Sequence, residues 1–249
     1  MSLEKAHEQI AKPRALILAA GYGKRMGALT QTLPKPLLPA GNATLLDYTL
    51  FQLYRWGIQK VFINVHYLSE KIIHHLDRYS HFEFQILYEP EILGTGGALR
   101  TVYEQLADDS GLIVINPDRI FFSHENYPPQ LSPYTDASLH VLEKPAGSLE
   151  PGWELQNNVW RMNRAGGRFF YCGLSILRPS IVKDFALNTF FELGPVLENV
   201  AQRDRLQCIP FSGVNFDAGV LTSYQQTLQN FYIPEYARDD WQRFLQINP

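Results

Sequence analysis

The sequence has little cysteine, little net charge and no long apolar run, and each shortage removes a class of protein. Only Cys172 and Cys208 occur in 249 residues. They could close at most one disulfide and lack the short paired spacing of a structural zinc site. A disulfide scaffold and a zinc module are therefore excluded, and two reduced, buried thiols in a cytoplasmic protein are expected. Lys and Arg number 22 against 25 Asp and Glu, a formal charge of −3. Duplex nucleic acid is held mainly by cations neutralising phosphates, so no nucleic-acid partner is expected, although a local basic cluster can still take a small anion. No stretch approaches the roughly 18 apolar residues that cross a bilayer, and residues 1–12 carry no apolar signal core. Neither a membrane partner nor export is expected, and internal repeats and low-complexity tracts are missing.

What is present reads as one globular α/β unit. Hydrophobic residues make up 45% and charged ones 19%, which excludes disorder and a coiled coil. The predicted organisation is a tail over residues 1–13, a single domain over 14–230 and a terminal tail or helix over 231–249. Short apolar runs at 14–20, 61–65, 82–88 and 112–115 predict strands. Thr44 before an amphipathic stretch that stops at Gly57 predicts a helix over 45–56, and further helices are predicted near 70–76 and 98–106. Strand and helix alternate, which implies βαβ units and a mostly parallel, Rossmann-like sheet flanked by helices, with ligands outside the carboxyl ends of its strands.

Beyond residue 123 the pattern loosens. A strand is predicted at 137–142, a hairpin of 159–163 with 168–177 through Ala165-Gly166-Gly167, helices at 180–186, 194–202 and 222–229, and a strand at 214–217. His74 and His75 read as solvated helix-surface residues, and Trp153, Trp160 and Phe169-Phe170-Tyr171 read as strand-face packing rather than a sugar platform.

Chemistry concentrates in Gly21-Tyr22-Gly23-Lys24-Arg25-Met26 and Pro34-Lys35-Pro36-Leu37-Leu38-Pro39, directly after the first strand. A dinucleotide fingerprint would need glycine where Met26 stands and an acid at the end of the second strand, where Asn64-Val65-His66 offers none. A P-loop would need a Gly-Lys-Ser/Thr element, which is missing. The remaining reading is anion chemistry: Gly21 and Gly23 let backbone N–H groups crowd a polyphosphate while Lys24, Arg25 and Lys35 neutralise it.

This segment resembles the signature of the sugar-1-phosphate nucleotidyltransferases, the nucleotide-sugar pyrophosphorylases. Tyr88-Glu89-Pro90 through Gly94-Thr95-Gly96-Gly97 is similar to the family's second nucleotide loop. Asn116-Pro117-Asp118 stands where the family has Asn-Gly-Asp, and Asn215-Phe216-Asp217-Ala218-Gly219 is similar to a late aspartate motif. Within the family the chain resembles the short, single-domain bacterial type that includes uridylyl- and guanylyltransferases of cell-envelope sugar metabolism. No hexapeptide repeats are present, so no acyltransferase extension is expected.

The resemblance implies a Mg2+-dependent transfer of a nucleotidyl group from an NTP to a sugar 1-phosphate, with pyrophosphate leaving. It implies Arg25 and Lys35 as catalytic cations, Ala20, Gly21, Gly23, Lys24, Glu89 and Gly97 at the nucleotide, and Asp118 and Asp217 at the metal. Lys144, from an early Glu-Lys-Pro element, and Gly173 are implied at the sugar or its phosphate. Departures from the family pattern are Lys24, Gly27-Ala28, Pro117 and Val220. Pro117 restricts the backbone just ahead of Asp118, which shifts or stiffens that carboxylate. Two alternatives stay open: a non-catalytic nucleotide or sugar-nucleotide sensor, and a phosphocholine cytidylyltransferase, which would need a cage for a quaternary ammonium.

Overall fold

The computed structural model describes residues 13–145 and 147–248, so the tail expected at the start of the chain lies, but for Pro13, outside the described residues. Strand β1 (Arg14–Leu18) buries alternate side chains on opposite faces, with Ala15 and Ile17 in one core and Leu16 in the other. A period of two with apolar residues on both phases is what a strand covered on both sides requires. A short hairpin, β2 (Pro39–Ala40) and β3 (Ala43–Thr44), leads into α1 (Leu45–Arg55). The Thr44 hydroxyl accepts the Asp47 N–H and the Asp47 carboxylate accepts the Thr44 N–H, a reciprocal cap that fixes where α1 begins.

Then follow β4 (Lys60–Val65), α2 (Ser69–Leu76), β5 (Glu83–Tyr88), α3 (Gly94–Tyr103) and β6 (Leu112–Ile115). The strands β5, β4, β1 and β6 lie side by side in that order and parallel. α3 begins at Gly94 rather than at the predicted residue 98. A Cβ at Gly96 would meet the Phe191 ring at 2.3 Å, so this first turn needs glycine.

The later half comprises β7 (Arg119–Ser123), β8 (Ala137–Glu143), β9 (Gly152–Gln156), β10 (Val159–Asn163), β11 (Phe169–Leu177), α4 (Leu193–Gln202), β12 (Leu206–Pro210), β13 (Gly213–Asp217), α5 (Leu221–Asn230) and α6 (Glu235–Ile247). β11 runs antiparallel to β6 on one side and to β8 on the other, and β12 adds parallel to β8. The result is a mixed nine-stranded sheet, mostly parallel in its first half and flanked by helices.

The predicted hairpin is corrected here. β10 pairs with β9 and not with β11, because Asn157 and Asn158 both adopt positive φ (49° and 65°) and form the tight turn between them. Asparagine tolerates that conformation better than other non-glycine residues, as a two-residue hairpin turn demands. The helix predicted over 180–186 is only a 3-10 turn at Pro179–Val182.

His75 is also corrected: it turns inward, 14% exposed, onto the buried Asp47 carboxylate, while His74 stays 92% exposed. Ala237, Trp241 and Phe244 form one buried stripe on α6, and Trp241 stacks on Tyr48 of α1 at 4.9 Å. Cys172 and Cys208 are free and buried, and burial pushes the Cys172 thiol up to about 12. Among the described residues no helix is long and apolar enough to cross a membrane.

Candidate active site

The chain builds β1, β4 and β5 outward, then α3 carries it back over the sheet to β6 on the other side of β1. Loops leaving the carboxyl ends of β1 and β6 therefore diverge, which opens a crevice at this switch point. A cleft of about 470 Å³ occupies it.

One wall is the loop after β1. Ala20, Gly21, Gly23, Lys24 and Arg25 all face the cleft. Gly23 has φ 65°, and a Cβ there would meet Thr30 Cγ2 at 2.9 Å and Lys35 Cβ at 3.1 Å. The Met26 N–H (2.8 Å) and the Thr30 hydroxyl (3.0 Å) both donate to the Gly23 carbonyl. Because the Met26 side chain is fully buried, this staple holds the loop down while Lys24 and Arg25 remain exposed. Lys24 Nζ sits 5.0 Å from the centre of the Tyr22 ring.

Lys35 enters from a 3-10 turn between Pro34 and Pro36. It is 9% exposed, and Nζ donates to Asp118 Oδ2 at 2.6 Å and to the Gly219 carbonyl at 2.8 Å. Asp118 lies in a turn closed by the Arg119 N–H donating to the Asn116 carbonyl at 3.2 Å. Pro117 takes the turn's second position, which favours proline and calls for no N–H donor. The departure at Pro117 thus stiffens the turn and leaves Asp118 in the cleft beside Lys35.

β7 and β13 explain how the second aspartate arrives. They pair antiparallel with Asp217 opposite Arg119, so Asp118 and Asp217 share one end of that ribbon. Both carboxylates converge on Gly219, where the position of a Cβ would be 2.9 Å from Asp217 Oδ1 and 3.8 Å from Asp118 Oδ2. Asp217 flanks the cleft rather than lining it. Its Oδ1 accepts the Gly219 N–H at 2.7 Å and lies 3.4 Å from Arg119 Nε.

The opposite wall centres on Glu89, which is 3% exposed. Its two oxygens accept from Asn64 Nδ2 (2.8 Å) and from the Leu93 N–H (2.9 Å). Asn64 Oδ1 in turn accepts the Ala19 N–H at 2.7 Å. Glu89 therefore reaches the loop after β1 through Asn64 and fixes the backbone at the mouth of the cleft. Asn64 was missed in the sequence, although its place at the carboxyl end of β4 was a signal for it.

Three expected site residues lie elsewhere. Gly97 does not line the cleft; a Cβ there would meet Leu93 Cβ and the Thr189 carbonyl, each at 2.7 Å, so its glycine serves the packing of α3. Lys144 sits past the end of β8, where Nζ donates to the Glu150 carbonyl and holds the following loop. Gly173, at φ 89°, makes the irregularity in β11, and its carbonyl accepts the Asn116 N–H at 2.9 Å beneath the Arg119 side chain. It positions the Asn116–Asp118 turn and does not face the cleft.

A parallel-sheet crevice with a glycine-rich, cationic wall and two carboxylates defines a nucleotide-handling α/β protein. The nucleotidyl transferase family model matches residues 14–142, and the chain belongs to that family. The chain is 27% identical over 216 residues to the N-acetylmuramate alpha-1-phosphate uridylyltransferase of Neisseria meningitidis serogroup B, covering 84% of this chain and 94% of that one. It is 33% identical over 108 residues to the D-glycero-alpha-D-manno-heptose 1-phosphate guanylyltransferase of Aneurinibacillus thermoaerophilus, covering 43% and 46%. The solved UDP-glucose pyrophosphorylase of Acinetobacter baumannii superposes with a TM-score of 0.74 at 14% identity, covering 95% of this chain and 100% of that one, a likeness of fold.

Proposed function

We propose that the protein transfers a nucleotidyl group from a nucleoside triphosphate to a sugar 1-phosphate, giving a nucleotide sugar and pyrophosphate. The observation that carries this reading is Lys35 Nζ, buried at the switch-point crevice and held 2.6 Å from Asp118 beside the exposed Lys24 and Arg25. Membership of the nucleotidyl transferase family supports it, as does similarity along most of the chain to a sugar-1-phosphate uridylyltransferase.

In this reaction an oxygen of the sugar phosphate attacks the α-phosphorus, and the bond to the departing pyrophosphate breaks on the opposite side. Both reactants are anions, so catalysis is positioning and charge neutralisation rather than covalent chemistry. Arg25 and Lys24 clamp the triphosphate against the N–H groups of the Ala20–Gly23 loop. Lys35, fixed by Asp118 and the Gly219 carbonyl, presents its ammonium where the two phosphates meet, and the prolines on either side limit its wandering. Glu89 and Asn64 hold the loop backbone that faces the base.

The carboxylates suit a hard divalent cation such as Mg2+. Asp118 Oδ1 and Asp217 Oδ2 accept no hydrogen bond among the described residues, and Gly219 keeps the space between the carboxylates clear. Among the described residues no cluster of three or more His, Cys, Asp or Glu could hold a metal. Mg2+ takes one or two protein carboxylates and draws its other ligands from phosphates and water, so two aspartates suffice. When bound, the ion would neutralise phosphate charge as the pyrophosphate departs.

The test is pyrophosphate release with Mg2+ from the common nucleoside triphosphates crossed with a panel of sugar 1-phosphates and phosphocholine. A productive pair with a sugar 1-phosphate supports the proposal. Productive CTP and phosphocholine would replace it, and nucleotide binding without pyrophosphate from any pair would move the assignment to a sensor.

A further inference from the structure

The loop after β1 is also tied down from the turn between β4 and α2. The Tyr67 hydroxyl donates to the Gln31 carbonyl at 2.6 Å, Lys71 Nζ donates to the Thr32 carbonyl at 2.5 Å, and His66 Nε2 lies 3.0 Å from the Tyr22 hydroxyl. The turn is itself strained: Leu68 holds φ 52°, a conformation that a bulky side chain rarely takes and that persists where surrounding contacts over-determine it. Of the residues in these three ties, only Tyr22 lines the cleft.

His66 links the two walls of the cleft. Its Nδ1 lies 2.7 Å from the Glu89 carbonyl, which can only accept, so the neutral ring carries its proton on Nδ1 and Nε2 accepts from the Tyr22 hydroxyl. The Tyr22 ring meets the His66 ring at 87° with centres 5.2 Å apart, and its centre is 5.7 Å from that of Tyr67. With hydroxyl and edge fixed in this way, the ring holds Lys24 Nζ 5.0 Å from its centre. Lys24 itself is exposed and faces the cleft.

We infer that Tyr22 is a positioning residue for the triphosphate: held by His66, its ring aims the Lys24 ammonium into the cleft before the ligand arrives. The inference rests on the reaction proposed above and deepens it, because Lys24 is one of the cations assigned there to the triphosphate. A lysine ammonium rides on a flexible four-carbon stem, and a side chain that has to be ordered on binding lowers affinity. The aromatic face removes part of that loss by attracting the ammonium in the free protein. Lys24 departs from the family pattern, and the ring beside it makes a flexible cation serviceable at that position. Tyr22 thus does for Lys24 what Pro34 and Pro36 do for Lys35.

The experiment is a double-mutant cycle on the affinity for the Mg2+ complexes of ATP, CTP, GTP and UTP, measured by calorimetry. Tyr22 is 41% exposed, so Tyr22→Leu should leave the fold intact. With the triphosphate that binds, Tyr22→Leu is expected to weaken affinity about two- to fivefold, the scale of an exposed cation–π contact, and to change nothing in a Lys24→Met background. Tyr22→Phe and His66→Ala, which cut the same hydrogen bond, should each keep only part of the coupling. In the free protein the Lys24 ε-methylene protons should resonate upfield under the ring current and lose that shift in Tyr22→Leu. Equal losses in the two backgrounds, or no such shift in the unaltered protein, would overturn the inference. Pyrophosphate release is read separately: triphosphate binding with the coupling intact but no pyrophosphate from any acceptor speaks against the proposed reaction alone, and equal losses in an active enzyme speak against the inference alone. Binding of none of the four would overturn both.

Discussion

The two halves of the sheet hold the walls of their cavities by opposite means. At the carboxyl ends of β1, β4 and β6, backbone and charge do the positioning: Glu89 holds Asn64, Asn64 holds the Ala19 N–H, and Lys35 bridges Asp118 and the Gly219 carbonyl. Across β8 to β11 a second cavity is walled by Leu139, Trp153, Met162 and Tyr171, and what positions them is packing. A polyphosphate demands fixed charges and crowding N–H groups, whereas an apolar cavity offers shape and dryness. One sheet thus offers two chemistries side by side, and substitutions in the two halves should separate triphosphate effects from acceptor effects.

The largest expected separation comes at Lys35. Lys35→Ala should lower kcat by about 10² to 10³, the scale for removing one transition-state donor, with the circular dichroism spectrum retained. An undiminished kcat would break the account of the polar half.

Next come the two acid limbs of stability. Burial raises the Asp47 carboxyl, but hydrogen bonds from His75, Tyr79 and the Thr44 N–H, with the His75 charge, outweigh it and hold the group at about 2. Its folded value lies below the usual 3.8, so the stabilisation is fully present above about pH 4 and is lost as pH falls toward 2. The loss is about 2 kcal/mol, seen as a fall in Tm that Asp47→Asn abolishes by lowering Tm at every pH. In the apolar half, burial pushes His140 down to about 4, and neither ring nitrogen has a partner among the described residues. The unfolded chain then binds the extra proton between about pH 6.5 and 4, so stability falls through that window, and His140→Phe should flatten it. A Tm profile with no change between pH 6.5 and 4 would contradict this.

Smaller effects sharpen the contrast. Asn64→Ala should raise KM for the triphosphate by about tenfold, the scale of one lost buried hydrogen bond, with KM for the acceptor steady. Met162→Ala should do the reverse within about tenfold, raising KM for the sugar 1-phosphate alone.

The same division explains what the sequence disclosed. Charge chemistry leaves signatures: glycines beside Lys24, Arg25 and Lys35, prolines around a lysine, and an aspartate after an apolar run, so most of the polar wall was legible. Both-face burial in β1, β4 and β6 made the parallel strands legible too. Packing leaves fewer marks. β9 was missed because its turn is Asn157-Asn158 rather than the Asn-Gly type, and Trp153 gives no hint in sequence that it borders a cavity. Gly97, Lys144 and Gly173 were placed by motif alone, and motif does not show that one glycine packs a helix, the lysine ties a loop and the other glycine kinks a strand, all three off the lining of the cleft. His75 misled for the same reason: its partner, Asp47, lies 28 residues away on another helix.

The central claim, that one sheet divides triphosphate from acceptor, is tested most directly by hydrogen exchange with each ligand added alone. A nucleoside triphosphate with Mg2+ should protect residues 19–26, 89–95 and 116–119 and leave β8 to β10 unchanged. A sugar 1-phosphate should protect 139–142, 153–162 and 193–197. Protection of β8 to β10 by the triphosphate alone, or no protection of 153–162 by the sugar 1-phosphate, would contradict it.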